Sequence, residues 1–197
     1  MMDWATLKAT CSQCHNCSLC EGRHNVVFGV GDEHAEVMFI GEGPGEHEDL
    51  QGEPFVGAAG HLLDDMLEII GLGRTQVYIA NIVKCRPPRN RDPLPQEQQV
   101  CYPYLENQIA LIDPKIIVCL GRIAGQKIMS PELRITVDHG RWQHKGGRWY
   151  MALYHPSANP SPILGVTPLR YHGGPHVFGP PMRPRRTLSH QFALNIC

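Results

Sequence analysis

The sequence lacks long apolar stretches. None of its 197 residues belongs to a run of about 18 or more apolar residues, so we expect no transmembrane helix. The first residues, MMDWATLKATCSQC, also lack the basic and then apolar pattern of a secretory signal. We therefore expect a cytoplasmic protein with no membrane partner. A hydrophobic share of 42% is typical of a folded domain rather than a disordered chain.

Acidic residues are absent from the last part of the chain. Residues 139–197 contain seven Lys and Arg, six of the eleven His and no Asp or Glu. Residues 1–70, in contrast, contain 13 acidic and two basic side chains. The net charge of −1 therefore hides a basic half. A basic surface is typical of proteins that bind nucleic acid, although a solvated surface with a disordered basic tail would have the same composition.

Segments with strand character alternate with segments of helical spacing over most of the chain. The strand-like segments are 35–40, 76–85, 115–121 and 148–155, and the two longest helical patterns are 58–73 and 94–112. This alternation predicts an α/β fold: a three-layer α/β/α sandwich with a central four-stranded parallel sheet, spanning residues 1–158. Residues 159–197 are rich in Pro, Gly, Arg and His without a clear period, and we expect an irregular C-terminal segment.

Chemically distinctive residues follow the predicted strands. In open parallel sheets, ligands bind at the carboxyl ends of the strands. The glycine-rich turn that starts at Gly41, the segment 81–85, Gly121 and His155 all fall at such ends. The sequence therefore predicts a binding site at this edge of the sheet.

The turn GEGPGEHED (41–49) is unlike a phosphate-binding loop. It lacks the Gly-Lys-Ser/Thr ending of a P-loop, and its four acidic side chains would repel a phosphate. We expect Gly41 and Gly43 to let the backbone approach a flat neutral ligand. Glu42 could then orient a water molecule or stabilise a developing positive charge. A structural turn whose acids favour a helix N-terminus is the alternative interpretation.

Three further side chains suit a nucleobase ligand. Phe55 lies in the glycine-flanked segment GEPFVG, where its ring could stack on a base. Asn81 ends a strand, where its amide could pair with the edge of a base. His155, in YHPS, could donate a hydrogen bond to a developing oxyanion. Core packing and backbone hydrogen bonds are the ordinary structural alternatives for Phe55 and Asn81.

A basic, proline-stiffened loop follows the second strand. The segment KCRPPRNR is suited to contact with DNA phosphates, or it is simply a solvated loop. Its candidate phosphate-binding residues are Lys84, Arg86, Arg89 and Arg91.

The sequence contains eight cysteines. Cys11, Cys14, Cys17 and Cys20 recur every three residues, and Cys85 and Cys101 follow much later. Grouped cysteines in a cytoplasmic chain indicate a metal site more often than disulfides. Thiolates suit zinc and iron–sulfur clusters alike, and the spacing does not decide between them. Reduced thiols without metal are the alternative.

In combination, these motifs resemble the family 4 uracil-DNA glycosylases, the iron–sulfur members of their superfamily. The resemblance covers about residues 11–158. It rests on the order of the following segments: CHNCSLCEGRHNVVFGVGD, GEGPGEHEDLQGEPFVGAAGHLLD, VYIANIVKCRPPRNRDPLPQE, CYPYLENQIALIDPKIIVCLGR and YHPS.

The resemblance implies a DNA repair enzyme that flips uracil out of DNA and hydrolyses its N-glycosidic bond, leaving an abasic site. It implies Glu42 and His155 at the reaction centre, with Phe55 stacked on uracil and Asn81 reading its Watson–Crick edge. Glu48 and Asp49 would line or order the glycine turn, and Ser157 would join the phosphate contacts. A 4Fe-4S cluster is implied on Cys14, Cys17, Cys85 and Cys101. We expect a monomer whose partner is uracil-containing DNA.

One alternative function and one departure from the family accompany this interpretation. A non-catalytic nucleic-acid-binding protein with a cysteine metal site, derived from such an enzyme, is the alternative. After the HPS motif, family members continue with a Leu-Leu-Arg-like stretch that wedges into the duplex, whereas here HPSA runs into NPSP. We therefore expect activity on single-stranded DNA to suffer less than activity on duplex DNA.

Overall fold

The computed structural model describes residues 2–158. The C-terminal segment 159–197 lies outside the described residues, so its expected irregular structure stays a prediction. The helices are α1 (Trp4–Ser12), α2 (Glu46–Gln51), α3 (Ala58–Ile69), α4 (Pro95–Ile112), α5 (Arg122–Ile128) and α6 (Ile135–Asp138). The strands are β1 (Val30–Gly31), β2 (Val37–Gly41), β3 (Tyr78–Asn81), β4 (Ile116–Leu120), β5 (Gln143–Lys145) and β6 (Arg148–Leu153).

The predicted parallel core of the sheet is confirmed, but the sheet is wider than expected. Its six strands follow the order β1-β3-β2-β4-β6-β5. The central four, β3, β2, β4 and β6, pair in parallel. The short strands β1 and β5 pair antiparallel at the two edges. The sequence did not reveal them because β1 has two residues and the three residues of β5 are all exposed.

Both faces of the central strands are covered, which makes the fold a three-layer sandwich. Every residue of β2 and β4 is buried, as expected for parallel strands enclosed by helices. On one face, Met38 and Ile117 belong to a core cluster with Leu105 of α4. On the other face, Phe39 and Val118 cluster with Leu63 of α3.

The parallel register gathers the predicted site residues at one edge. Gly41, the last residue of β2, lies beside Asn81, the last residue of β3. Leu120 of β4 pairs with Leu153 of β6, two residues before His155. The four carboxyl ends therefore meet, as the sequence predicted. Among residues 2–158, no helix combines the length and apolar character needed to cross a membrane.

Candidate active site and cysteine-lined cavity

A pocket of about 400 Å³ opens at the carboxyl ends of the parallel strands. This volume lies within the usual range of small-molecule sites, roughly 300–1,000 Å³. Its walls include six residues that the sequence had marked for base binding and catalysis: Glu42, Gly43, Glu48, Phe55, Asn81 and His155. The glycine turn therefore does form one side of a pocket, together with residues from distant parts of the chain.

Asn81 presents an unpaired carbonyl oxygen to this pocket. The residue is 2% exposed, and its Oδ1 atom has no hydrogen-bond partner among residues 2–158. Leaving a buried polar atom unpaired costs about 1–3 kcal/mol, so this arrangement points to a ligand that supplies a donor. A Cβ on Gly41 would lie 2.5 Å from Oδ1. Glycine at position 41 therefore keeps the space in front of the amide open.

The backbone of Phe55 is held in an unusual conformation. Its φ of 56° is left-handed, which is rare for a bulky residue and has to be stabilised by its surroundings. The guanidinium of Arg74 donates to the carbonyl oxygens of Phe55 and Pro54, the latter at 3.1 Å, and pairs with Asp64 of α3. These bonds fix the backbone before and after the Cα atom of Phe55. They therefore also fix the direction in which its side chain points.

The loop after Phe55 is secured from two other sides. Oε1 of Glu48 accepts hydrogen bonds from the backbone N–H groups of Val56 and Gly57, both at 3.0 Å. Gly60 lies against the loop so closely that a Cβ there would be 1.8 Å from the Phe55 carbonyl oxygen. Glu48 thus orders the loop as well as lining the pocket, and the Phe55 ring sits at a defined place in the wall.

His155 is arranged as a neutral hydrogen-bond donor. Its Nδ1 atom accepts from the backbone N–H of Ser157 at 3.2 Å and lies 2.7 Å from Oγ of Ser157. Because a backbone N–H only donates, Nδ1 carries no proton and the proton of the neutral ring is on Nε2. Burial lowers the pKa of His155, opposed by the charge of Glu48. The ring centroid lies 5.7 Å from that of Phe55.

Glu42 has a carboxyl group poised to titrate near neutral pH. Burial raises its pKa to about 7, the nearby charge of Asp92 adds to this effect, and Arg122 opposes it. Asp92 and Arg122 pair with each other at 2.5 Å, and Asp92 also lines the pocket. A carboxyl with such a pKa can exchange a proton during a reaction at physiological pH.

A second cavity is lined by cysteines. The four predicted ligands, Cys14, Cys17, Cys85 and Cys101, all border it, as do Cys11 and Cys20. None of them forms a disulfide within the described part of the chain. Residues 2–158 contain no group of three or more Cys, His, Asp or Glu side chains that could hold a metal ion directly. The six thiols surround a shared space.

Comparison with known proteins shows the family to which the chain belongs. The family model of the uracil-DNA glycosylase superfamily matches residues 28–164. The chain belongs to this superfamily. A type-4 uracil-DNA glycosylase of Archaeoglobus fulgidus is 49% identical over 155 residues, which cover 74% of this chain and 77% of that enzyme.

Two further relatives support the placement within the type-4 group. The type-4 uracil-DNA glycosylase of Sulfurisphaera tokodaii is 44% identical over 189 residues, 84% of this chain and 86% of that enzyme. The Thermotoga maritima enzyme of the same type is 44% identical over 152 residues, 74% and 77% of the two chains. The identification with family 4 of the uracil-DNA glycosylase superfamily is thus confirmed.

The basic loop of this superfamily member lies beside the pocket, but its cations differ in environment. Arg91 lines the pocket and pairs with Glu97 at 2.7 Å. Arg86 is half-buried and pairs with Glu46 at 3.1 Å, whereas Arg89 is exposed. The three arginines and Ser157, which also lines the pocket, stay candidates for DNA phosphate contacts.

The prediction that Lys84 contacts a DNA phosphate is wrong. It is 1% exposed, and its Nζ atom donates to Oε1 of Gln108 at 2.7 Å inside the protein. It follows the buried residues Ile82 and Val83, so its side chain enters the core before the loop reaches the surface. It cannot contact a DNA phosphate.

Asp49 was predicted with Glu48 to line the site or order the turn, and it does not line the pocket. It is fully buried, and its carboxylate accepts from the backbone N–H of His24 at 2.9 Å and contacts the His24 ring at 2.7 Å. The backbone carbonyl of Asp49 accepts from the side chain of Asn25 at 2.8 Å. Asp49 therefore ties α2 to the N-terminal segment and orders the glycine turn from behind.

Sequence reasoning missed three residues that shape the pocket: Arg74, Asp92 and Arg122. Arg74 is the only Lys or Arg between residues 24 and 83, and this isolation in an acidic stretch was a usable signal. Asp92 is an acidic residue at the end of a basic loop, and this was a weaker signal. Nothing in the local sequence distinguishes Arg122, because its partner Asp92 is 30 positions away.

Proposed function

We propose that this protein removes uracil from DNA by hydrolysing the bond between the base and the deoxyribose, as the initiating step of base excision repair. The observation that carries the proposal is the unpaired, buried Oδ1 of Asn81 in a pocket shared with Glu42, Phe55 and His155. The relatives named type-4 uracil-DNA glycosylases support the same activity.

Base recognition would depend on the amide of Asn81. Uracil carries a donor at N3 and an acceptor at O4, which match the Oδ1 acceptor and the Nδ2 donor of an asparagine amide. Cytosine carries an acceptor at N3 and a donor at N4, so it opposes the same amide at both positions. A pocket built to pair with one pattern rejects the other strongly, because mismatched polar groups stay buried and unpaired. The base must be flipped out of the duplex to enter.

His155 would stabilise the leaving group. As the bond from C1′ to N1 breaks, its electron pair moves onto uracil, and negative charge develops on N1 and O2. The Nε2–H of neutral His155 is suited to donate to O2, and one such preorganised donor contributes roughly 3 kcal/mol. Phe55 would stack on the base and hold it against this donor.

Glu42 would act on the sugar side of the bond. Its carboxylate stabilises the oxocarbenium character at C1′ and accepts a proton from the attacking water as the new C–O bond forms, by analogy with glycoside hydrolysis. The products are an abasic deoxyribose and a uracil anion that takes a proton from solvent. Asp92 and Arg122 would set the charge around Glu42.

The cofactor of this proposal is a 4Fe-4S cluster held by Cys14, Cys17, Cys85 and Cys101. The donor set fits in its chemistry, because four cysteines, whose thiolate forms bind iron–sulfur clusters, border one cavity. The backbone N–H of Lys84 donates to Sγ of Cys101 at 3.2 Å, and Arg23 donates to Sγ of Cys85 at 3.3 Å. When bound, the cluster would supply a structural crosslink between the N-terminal segment, the loop after β3 and α4. Cys11 and Cys20 would not be ligands.

A base-release assay tests the proposed function. The purified full-length protein is incubated with matched oligonucleotides that contain uracil, cytosine or thymine at one position, and free base is measured by chromatography. We expect release of uracil and no release of cytosine, with an abasic site left in the uracil strand. Binding of the uracil strand without release would favour the non-catalytic alternative and contradict the proposal.

A further inference from the structure

Lys84 is a buried cation that the proposed reaction does not use. Its side chain is 1% exposed, and its Nζ donates to the neutral amide oxygen of Gln108 at 2.7 Å. That amide is itself fixed, because Gln108 Nε2 donates to the backbone oxygen of Phe28 at 2.9 Å and to the Tyr78 hydroxyl at 3.1 Å. Among residues 2–158, no carboxylate forms an ion pair with Lys84.

A buried charge without an opposite charge is strongly unfavourable. Removing an ammonium group from water costs several kcal/mol unless a counter-charge or a set of hydrogen bonds compensates for it. A single neutral amide compensates only in part. An anionic partner must therefore be sought next to Lys84.

The cysteine-lined cavity is the place where such a partner would bind. Lys84 borders this cavity, together with a second cation, Arg23, and six cysteines. No Asp or Glu lies among the described residues that line it. Arg23 also donates from its guanidinium to Sγ of Cys85. The walls therefore combine thiols with positive charge, which is complementary to a thiolate-bound cluster of net negative charge.

We propose that Lys84 is the internal counter-charge of the cysteine-held cluster and raises the reduction potential of that cluster. The inference rests on the cluster assigned under the proposed function. A nearby cation stabilises the reduced cluster more than the oxidised one, because the reduced form carries one more negative charge. Lys84 belongs to the cluster site, and it is a positioning and charge-compensating residue rather than a DNA contact.

The test compares the cluster-loaded wild type with three full-length variants. Lys84→Met removes the charge and keeps the shape of the side chain. Gln108→Leu disturbs packing at the same place and retains the lysine side chain. Lys115→Met removes a charge from the surface, where Lys115 pairs with Glu36. For each protein, iron and sulfide content is measured, and the one-electron midpoint potential is determined by mediated titration followed by electron paramagnetic resonance.

We expect Lys84→Met to reduce the equilibrium constant for one-electron reduction by about tenfold, equivalent to a midpoint potential about 59 mV more negative. The midpoint potentials of Gln108→Leu and Lys115→Met should stay near the wild-type value. Loss of the cluster from Lys84→Met but not from Gln108→Leu would also support the inference. An unchanged potential in Lys84→Met, or an equal shift or equal cluster loss in Gln108→Leu, would overturn it.

The test of the Lys84 inference and the test of the proposed function can fail independently of each other. Uracil release is measured on the same wild-type preparation. A cluster-bearing wild type that releases no uracil would contradict the proposed excision and leave the Lys84 inference intact. A wild type that assembles no cluster under anaerobic reconstitution would overturn the inference, whatever its activity.

Discussion

Glu42 is the residue whose surroundings set the pH dependence of the proposed excision. Its pKa is raised to about 7 by burial, and the ionised form is the one that stabilises a cation or accepts a proton. The single-turnover rate should therefore rise about tenfold per pH unit below this pKa and level off above it. Burial lowers the pKa of His155, which favours the neutral imidazole that the proposed reaction requires. Rates measured at saturating enzyme from about pH 5.5 to 8.5 check this.

Two substitutions test whether Glu42 or another carboxyl group sets the pH profile of excision. Glu42→Gln should slow excision strongly and remove from the pH profile the limb that the Glu42 carboxyl group causes. Glu46→Gln is a suitable control, because Glu46 is exposed and pairs with Arg86 outside the pocket wall. A variant Glu42→Gln that keeps the wild-type profile would show that another group sets it.

Sequence reasoning succeeded for residues that end a strand or follow it within two positions. Glu42, Asn81 and His155 were predicted to meet because the ends of parallel strands share one edge, and the structure brings them together. Lys84 was misplaced because its environment depends on Gln108, which is 24 positions away in α4. Local sequence shows the charge of a side chain, but burial is decided by tertiary packing.

At the scale of elements, the loop that carries Phe55 depends on Arg74. Arg74→Met should remove the hydrogen bonds to the carbonyl groups of Pro54 and Phe55 and release the left-handed backbone. A displacement of about 1 Å in a positioned group can cost roughly a hundredfold in rate, and we expect a single-turnover rate at least about tenfold lower. Affinity for a non-cleavable uracil strand should change little, because the arginines proposed to contact phosphate lie in the loop after β3.

The control for this prediction is Arg134→Met. Arg134 is exposed, and its backbone N–H donates to the carboxylate of Asp138. Its side chain can therefore be shortened without loss of that hydrogen bond. Equal rates in both variants and the wild type would show that Phe55 is held without Arg74. A loss of DNA affinity in Arg74→Met equal to the loss in rate would assign Arg74 to DNA binding instead.

The strands differed in how well the sequence revealed them. β2 and β4 are continuous apolar runs that are buried on both faces, so their existence and parallel pairing could be predicted. The edge strand β5 is exposed throughout and exists because it pairs with β6. Edge strands of this kind depend on a neighbour for their hydrogen bonds and carry no hydrophobic pattern of their own.

At the scale of the whole molecule, the cysteine cavity connects parts that are distant in sequence. Cys14 and Cys17 belong to the N-terminal segment, Cys85 follows β3, and Cys101 lies in α4. Cys85→Ala should therefore abolish cluster binding and reduce the yield of soluble protein. Iron and sulfide analysis, visible absorption and thermal unfolding measure the effect.

A matched variant tests the ligand set itself. Cys20→Ala changes a cysteine of the same cavity that the proposal does not count as a ligand, so this variant should keep its cluster. A fully loaded and stable Cys85→Ala would contradict the assignment. Loss of the cluster from Cys20→Ala would show that the ligand set has been chosen wrongly.

The measurement that tests the central claim most directly is the single-turnover rate of uracil release by Asn81→Ala, compared with the wild type. Asn81 is the residue that would read the base, and its Oδ1 has no partner to lose among residues 2–158. We predict a rate lower by about a hundredfold, equivalent to about 3 kcal/mol of transition-state stabilisation, with no decrease in thermal stability and no loss of cluster. Release of uracil by Asn81→Ala at the wild-type rate would contradict the account.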